Sequence, residues 1–226
     1  MANEKVYLGV DLGASSGRVL AGLFDGGRLR LEEVHRFENG SVHVGDTMYW
    51  NILSLWQHIV DGLRSSASRY GQRITSVGVD TWGVDFGLLG SDDRLLANPI
   101  CYRDARTSGI FETAFGIVPR EEIFAETGLQ FMEFNTLYQL LALKSQNSPT
   151  LSAADSFLMI PDLIHWMLTG EKANERTNAT TTQFYNPQTG DWARSLLDRF
   201  EIPYAMLGTI IEPGKKMGSL QASVED

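Results

Sequence analysis

The first forty residues alternate between apolar and polar side chains around two glycine turns, and this pattern constrains the fold more than any other. Apolar side chains take every second position of residues 5–12, which predicts a strand: Val6, Leu8, Val10 and Leu12. The runs 18–24 and 28–37 predict two further strands, separated by the turn sequence "DGG" at 25–27. The sequence therefore predicts an antiparallel meander with "GASSG", residues 13–17, at the first hairpin tip.

Helical and extended patterns alternate along the rest of the chain. A helix is predicted where apolar residues recur every three or four positions, at Ile52, Leu55, Trp56, Ile59, Val60 and Leu63. A strand is predicted to end at Asp80 and another to begin at Val84. Together with the meander, these patterns predict one α/β domain over residues 1–226, with a mixed sheet flanked by helices.

Three later segments add detail to this prediction. Thr136 and Gln139 have the spacing of a helix-capping box before a run of leucines. Pro161 and Gly170 are placed as the start and end of a further helix. Residues 174–192 are rich in Thr, Asn and Gln, and we expect polar extended segments joined by a turn.

Charge and cysteine content limit the classes of function. The net charge of −9 and the isoelectric point near 4.9 argue against nucleic-acid binding, which usually requires a basic face. The chain has one cysteine, Cys101, and its N-terminus lacks the basic and apolar regions of a signal peptide. No apolar run is long enough to span a membrane. We expect a cytoplasmic protein that binds neither nucleic acid nor membrane.

The first hairpin tip is a candidate phosphate site. The turn leads into a strand, which excludes the phosphate loops that open a helix, so turn N–H groups and the Ser15 and Ser16 hydroxyls would bind the anion. Asp11 is placed to hold Mg²⁺ and Arg18 to neutralise phosphate charge. The spacing fits a plain hairpin with a solvated aspartate equally well.

Two further segments are candidate sugar-binding sites. In "VDTWGVDF", residues 79–86, the acid Asp80, the indole of Trp82 and the exposed backbone of Gly83 could form a sugar-binding corner. The alternative is that Trp82 belongs to the core. In "CYRDART", residues 101–107, Arg103 and Asp104 could bind hydroxyl groups or form a surface ion pair.

Seven segments, in one order along the chain, resemble the FGGY carbohydrate kinases, and most closely the branch that acts on L-rhamnulose. They are "VDLGASSGR" (10–18), "HRFENG" (35–40), "DTWGVDF" (80–86), "YRDART" (102–107), "FNTLYQLLAL" (134–143), "IPDLIHWMLTG" (160–170) and "TNATTTQFYN" (177–186). The resemblance implies the N-terminal lobe of an actin-like, ribonuclease-H-like kinase that transfers the γ-phosphate of ATP, with Mg²⁺, to the 1-hydroxyl of L-rhamnulose.

The resemblance also implies roles for individual residues. The phosphate loop would be Ala14, Ser15, Ser16, Gly17 and Arg18, and the metal-associated acid would be Asp11. Gly83 would contact the sugar through its backbone, and the residues near the sugar would be Asp80, Trp82, Arg103 and Asp104.

The family's catalytic base is an Asp in a His-Asp-Thr-type motif, which residues 1–226 do not contain; Asp226 lies in a different context. We therefore expect the base and the adenosine pocket to belong to a missing C-terminal lobe, and this chain alone to be inactive. Two alternatives remain open: a kinase for another ketose or pentulose, and a non-catalytic actin-like module that binds nucleotide or protein.

Overall fold

The structure is a computed structural model that describes residues 4–225. The strands are β1 (Lys5–Leu12), β2 (Ser16–Phe24), β3 (Leu29–Glu38), β4 (Ser41–Val44), β5 (Thr47–Trp50), β6 (Ile74–Thr81), β7 (Phe86–Leu89), β8 (Ser156–Met159), β9 (Asn174–Glu175), β10 (Tyr185–Asn186), β11 (Asp191–Trp192) and β12 (Ile210–Ile211). The α-helices are α1 (Ile52–Tyr70), α2 (Ile110–Ile117), α3 (Arg120–Thr127), α4 (Thr136–Ser145), α5 (Pro149–Ser152), α6 (Ile160–Thr169), α7 (Arg176–Ala179), α8 (Arg194–Arg199) and α9 (Ala222–Glu225).

The described residues form two compact units. The first contains residues 4–41, 51–82 and 221–225, and the second contains residues 42–50 and 83–220. Each unit has its own sheet and its own helices.

The first unit is a four-stranded mixed sheet covered by helix α1. The strand order is β3-β2-β1-β6, with β1, β2 and β3 antiparallel and β6 parallel to β1. The predicted meander is confirmed, because Leu12 pairs with Gly17 at the tip of the first hairpin. The predicted inward face is confirmed as well, since the exposed fractions of its side chains are 6% or less: Val6, Leu8, Val10 and Leu12.

The second unit packs a two-stranded sheet and several helices around one apolar core. Strands β7 and β8 pair antiparallel, and all four residues of each strand are buried. Helix α4 is buried along Thr136–Leu143, as expected for a helix that is apolar on nearly every side. Helix α6 begins with Pro161 in its first turn and ends at Gly170 in the left-handed conformation, as predicted.

Three predictions of local structure in the second unit are wrong. Helix α4 is preceded by Asn135 and has no side-chain cap, so Thr136 and Gln139 do not form a capping box. Of the segment 174–192, the expected extended pieces joined by a turn are present at β10 and β11, which pair antiparallel. Residues 176–182 are helical instead, because Glu175 caps α7 by accepting from the Thr177 and Asn178 N–H groups. The strand predicted from Val84 begins two residues later, at Phe86, because Val84 has a φ of +67°.

No helix within residues 4–225 is both long and apolar enough to cross a membrane.

Candidate functional site

Three carbonyl groups of the hairpin turn between β1 and β2 accept hydrogen bonds from the protein. The Gly13 N–H donates to the Ser16 carbonyl (2.9 Å), which closes the turn. Asn39 binds two more, because its side-chain amide donates to Gly13 O (2.7 Å) and its backbone N–H donates to Ser15 O (3.1 Å). These three carbonyl oxygens are directed toward donors within the protein. This arrangement suits a phosphate cradle.

Asp11 and Arg18 lie opposite each other on β1 and β2 and form an ion pair. The distances from Asp11 Oδ2 to Arg18 Nε and Nη2 are 2.7 and 2.6 Å. Both side chains are exposed, by 36% for Asp11 and 42% for Arg18, so the pair stabilises the fold by only about 0–1 kcal/mol. A phosphate and a cation can therefore separate the two groups at little energetic cost.

Charged residues form a row across the four strands of the sheet. In strand order they are Arg36, Arg18, Asp11 and Asp80, each in register with the next. Residues in register on neighbouring strands, about 4.8 Å apart, project from the same face of the sheet. Asp11 and Asp80 therefore place two carboxylates side by side, and carboxylate oxygens are the ligands that Mg²⁺ prefers.

Any side chain larger than that of Gly17 would clash with the ring of Phe37. A Cβ at this position would lie 2.3 Å from Cε2 of Phe37, whose ring stacks on His58 at 4.7 Å between centroids. The hairpin therefore approaches the Phe37 ring closely.

The segment Gly83–Asp85, in the second unit, adopts a strained turn. The Asp85 N–H donates to the Gly83 carbonyl (2.9 Å) across Val84, whose φ is +67°. A three-residue turn with positive φ at its centre is the rare, strained form of the γ-turn. For a β-branched residue this conformation is an outlier, and outliers of this kind cluster at functional sites.

Side chains from two distant segments hold the strained turn. The Val84 N–H donates to Thr181 Oγ1 (3.1 Å), and the Val84 carbonyl accepts from Thr136 Oγ1 (2.7 Å) and Gln139 Nε2 (3.2 Å). Thr181 also fills the space beside Gly83, where a Cβ would lie 3.0 Å from its Cγ2. Thr136 and Gln139 thus bind this turn instead of capping their own helix.

Asp85 is fully buried and joins this turn to the segment that follows Cys101. Its carboxylate accepts from Trp50 Nε1 (2.6 Å), from the Tyr102 N–H (3.1 Å) and from Gln139 Nε2 (3.0 Å). No sequence pattern marks Asp85 as functional. A signal is present in α4, because Thr136 and Gln139 are polar residues one turn apart in the buried part of the helix, Thr136–Leu143.

The same network fixes the orientation of Gln139. Its Oε1 accepts from Arg106 Nη2, so its amide nitrogen is free to donate to the turn. Burial lowers the pKa of the Arg106 guanidinium, and the nearby Asp104 and Asp85 carboxylates oppose that shift. Arg106 was not singled out from the sequence.

Arg103 and Asp104 have separate surroundings. Asp104 accepts from the Met48 N–H (2.7 Å) and the Arg106 N–H (2.9 Å), so its carboxylate supports the local backbone. Arg103 is exposed and lies over the ring of Tyr102, 5.2 Å from its centroid. Asp80 and Trp82 belong to the first unit, where Trp82 is half-buried.

Within the described residues 4–225, no group of three or more His, Cys, Asp or Glu side chains is arranged to hold a metal ion. A cation at this edge of the sheet would have the two carboxylates of Asp11 and Asp80 within the same row. Water and phosphate oxygens usually complete the coordination of Mg²⁺.

Comparisons with known proteins agree with the resemblance. Residues 6–226 match the model of the N-terminal domain of the FGGY family of carbohydrate kinases. A rhamnulokinase of Oceanobacillus iheyensis is 43% identical over 223 residues, which are 99% of this chain and 47% of that protein. A rhamnulokinase of Bacteroides thetaiotaomicron is 43% identical over 97% of this chain and 45% of its own length. The chain thus spans a little under half the length of these relatives.

Solved structures confirm the predicted fold. A ligand-bound xylulose kinase from Lactobacillus acidophilus superposes with a TM-score of 0.87 at 22% identity, over 97% of this chain and 44% of that protein. A gluconate kinase from Lactobacillus acidophilus superposes with a TM-score of 0.85, also at 22% identity, over 98% of this chain and 44% of its own. The fold is therefore the actin-like α/β fold that the sequence predicted.

Proposed function

This chain belongs to the FGGY family of carbohydrate kinases, and we propose that it forms the sugar-binding half of an ATP-dependent kinase for L-rhamnulose. One observation carries the proposal: relatives that match 97–99% of the chain at 43% identity are named rhamnulokinases. The family match makes a non-catalytic actin-like module the less favoured alternative.

In the proposed reaction, the oxygen of the 1-hydroxyl of L-rhamnulose forms a bond to the γ-phosphorus of ATP. The bond from that phosphorus to the β,γ-bridging oxygen breaks, and ADP leaves. The hydroxyl proton passes to a carboxylate base, which we assign to the remaining half of the protein together with the adenosine pocket. Catalysis of this kind depends mainly on positioning and on stabilising phosphate charge.

The hairpin turn is proposed as the phosphate cradle. The N–H groups of Ala14, Ser15 and Ser16 would face the phosphate oxygens, with the serine hydroxyls beside them. Arg18 would release Asp11 and donate to a phosphate oxygen instead. A hydrogen bond between two charged groups of this kind is among the stronger ones. Asp11, with Asp80 beside it, would hold Mg²⁺, which when bound neutralises phosphate charge.

Residues on the second unit are proposed to receive the sugar. Gly83 would contact it through its backbone, and Arg103 over Tyr102 offers a guanidinium to its hydroxyls. Asp104 would act through the backbone that it supports.

The test is ketose-dependent ADP release by the full-length protein with ATP and Mg²⁺. We expect kcat/KM for L-rhamnulose to exceed the values for D-xylulose and L-ribulose by at least about tenfold, the usual effect of one or two well-placed contacts. A higher value for either of those sugars would change the substrate assignment. No release with any ketose would reject the kinase assignment.

The isolated 226-residue chain is the matched control. A general base alone contributes about 10²–10⁴-fold, so we expect no ketose-dependent ATP turnover from this half. Turnover by the isolated chain would show that the base lies within it.

A further inference from the structure

The backbone of the Gly83–Asp85 turn leaves one hydrogen-bonding group unused. The Gly83 carbonyl accepts from the Asp85 N–H, and the Val84 N–H and carbonyl bind Thr181, Thr136 and Gln139. The Asp85 carbonyl accepts from the Ile160 N–H at 3.1 Å. Among the described residues, none accepts a hydrogen bond from the Gly83 N–H. Backbone N–H groups normally have a partner, so this one is available to a ligand.

The placement of the Gly83 N–H depends on the turn, because the Gly83 carbonyl accepts from the Asp85 N–H and Thr181 packs against Gly83. Val84 at a φ of +67° is strained, and such strain persists only where surrounding contacts hold it. Thr181 has two such contacts, since its hydroxyl accepts from the Val84 N–H and its methyl group packs where a Gly83 side chain would stand. The Thr181 hydroxyl is itself oriented by donating to the Asn178 carbonyl at 2.8 Å.

We propose that Thr181 is a positioning residue for the sugar: it clamps the strained turn so that the Gly83 N–H donates to a sugar oxygen. The proposal rests on the proposed function, since it assigns the ligand of the Gly83 N–H to the kinase's ketose. Thr136 and Gln139 complete the clamp from the carbonyl side of Val84. Thr181 acts through the turn and not by contact with the reacting atoms.

The experiment compares three variants of the full-length protein. Thr181→Val keeps the shape of the side chain but removes the hydroxyl that binds Val84. Thr180→Val is the matched control, because the neighbouring hydroxyl donates to the Thr177 carbonyl and does not touch the turn. The third variant combines Thr181→Val with Val84→Gly, since glycine adopts a positive φ without strain.

We expect Thr181→Val to raise KM for L-rhamnulose about tenfold while KM for ATP stays within twofold of wild type. Thr180→Val should leave both constants unchanged. The added Val84→Gly change should restore most of the sugar KM, because a glycine turn needs no clamp. A purely structural role for Thr181 would not produce this rescue.

Amide hydrogen exchange separates failure of this inference from failure of the proposed function. Exchange at Asp85, whose N–H closes the turn, should accelerate in Thr181→Val whether or not a sugar is present. If wild type phosphorylates a ketose and Thr181→Val leaves its KM unchanged, the positioning role is wrong, whatever the exchange shows. If wild type phosphorylates no ketose, the proposed function fails first, and faster exchange would then identify Thr181 as a structural clamp only.

Discussion

The hairpin turn at residues 13–16 and the γ-turn at residues 83–85 differ in what holds them. The hairpin is closed by its own strands and by Asn39, 26 positions away from Gly13. The γ-turn is held by Thr136 and Thr181, 52 and 97 positions away from Val84. The charged groups of the hairpin are exposed, whereas those around the γ-turn are buried.

This difference has a consequence for mutation. An exposed charge is screened by water, so its removal changes ligand binding more than stability. A buried polar group that loses its partner is left unpaired in an apolar environment, so its removal lowers stability strongly. We expect stability effects to concentrate in the second unit and ligand-only effects in the hairpin.

The largest expected loss of stability is for Asp85→Ala. This change removes one buried acceptor from Trp50 Nε1, from the Tyr102 N–H and from Gln139 Nε2. The buried Trp50 Nε1 and Tyr102 N–H lose this acceptor, whereas Gln139 keeps the Val84 and Phe134 carbonyls, so the free energy of unfolding should fall by about 3–5 kcal/mol. Urea denaturation measures the effect, with Asp198→Ala, an exposed aspartate of the same unit, expected within about 0.5 kcal/mol of wild type. A loss below about 1 kcal/mol for Asp85→Ala would contradict the central role given to this carboxylate.

The next effect concerns pH and the buried Asp162 of helix α6. Burial raises the pKa of Asp162 to about 8, so the folded protein keeps a proton that the unfolded chain releases near pH 4. The stability that this proton contributes is present in full below pH 4 and is lost as the pH rises toward 8. The free energy of unfolding should therefore fall by about 2–4 kcal/mol more in wild type than in Asp162→Asn between pH 5 and 8.

Denaturation at several pH values measures this difference. The control is Asp155→Asn, because Asp155 is exposed and close in sequence to helix α6. Parallel pH profiles for wild type and Asp162→Asn would show that Asp162 is ionised in the folded protein.

The smallest effect on stability is expected in the hairpin, for Arg18→Ala. Its exposed ion pair with Asp11 contributes about 0–1 kcal/mol, so the denaturation midpoint should hardly move. Loss of the proposed phosphate contact should nevertheless raise KM for ATP about tenfold in the full-length protein. A large loss of stability with an unchanged KM for ATP would mean that Arg18 serves only the fold.

The two regions also differ in how well the sequence predicts them. The meander was predicted because apolar and polar side chains alternate in β1, and the apolar ones are those that face the core. The "GASSG" turn lies between this strand and the next. The strain at Val84 was not predicted, because no local pattern marks a valine with positive φ. Its cause lies in hydroxyl and amide groups far along the chain.

Two wrong predictions have different causes, one in contacts between distant segments and one in a local helix cap. Thr136 and Gln139 have the spacing of a capping box, but Thr136 is the first residue of α4 and not the residue before it. Its hydroxyl donates to the Val84 carbonyl, and the Gln139 Oε1 accepts from Arg106 instead of from a helix N–H. Residues 176–182 looked extended from their threonines, yet the Glu175 cap makes them helical. Sequence patterns therefore located the candidate site but not the contacts that hold it.

Binding of ATP at the hairpin turn and of the sugar at the γ-turn can be separated in one experiment. KM for ATP and KM for L-rhamnulose would be measured for full-length wild type, Arg18→Ala and Thr181→Val. We expect Arg18→Ala to raise only KM for ATP and Thr181→Val to raise only KM for L-rhamnulose. Equal increases of both constants in either variant would show that the two turns do not bind separate substrates.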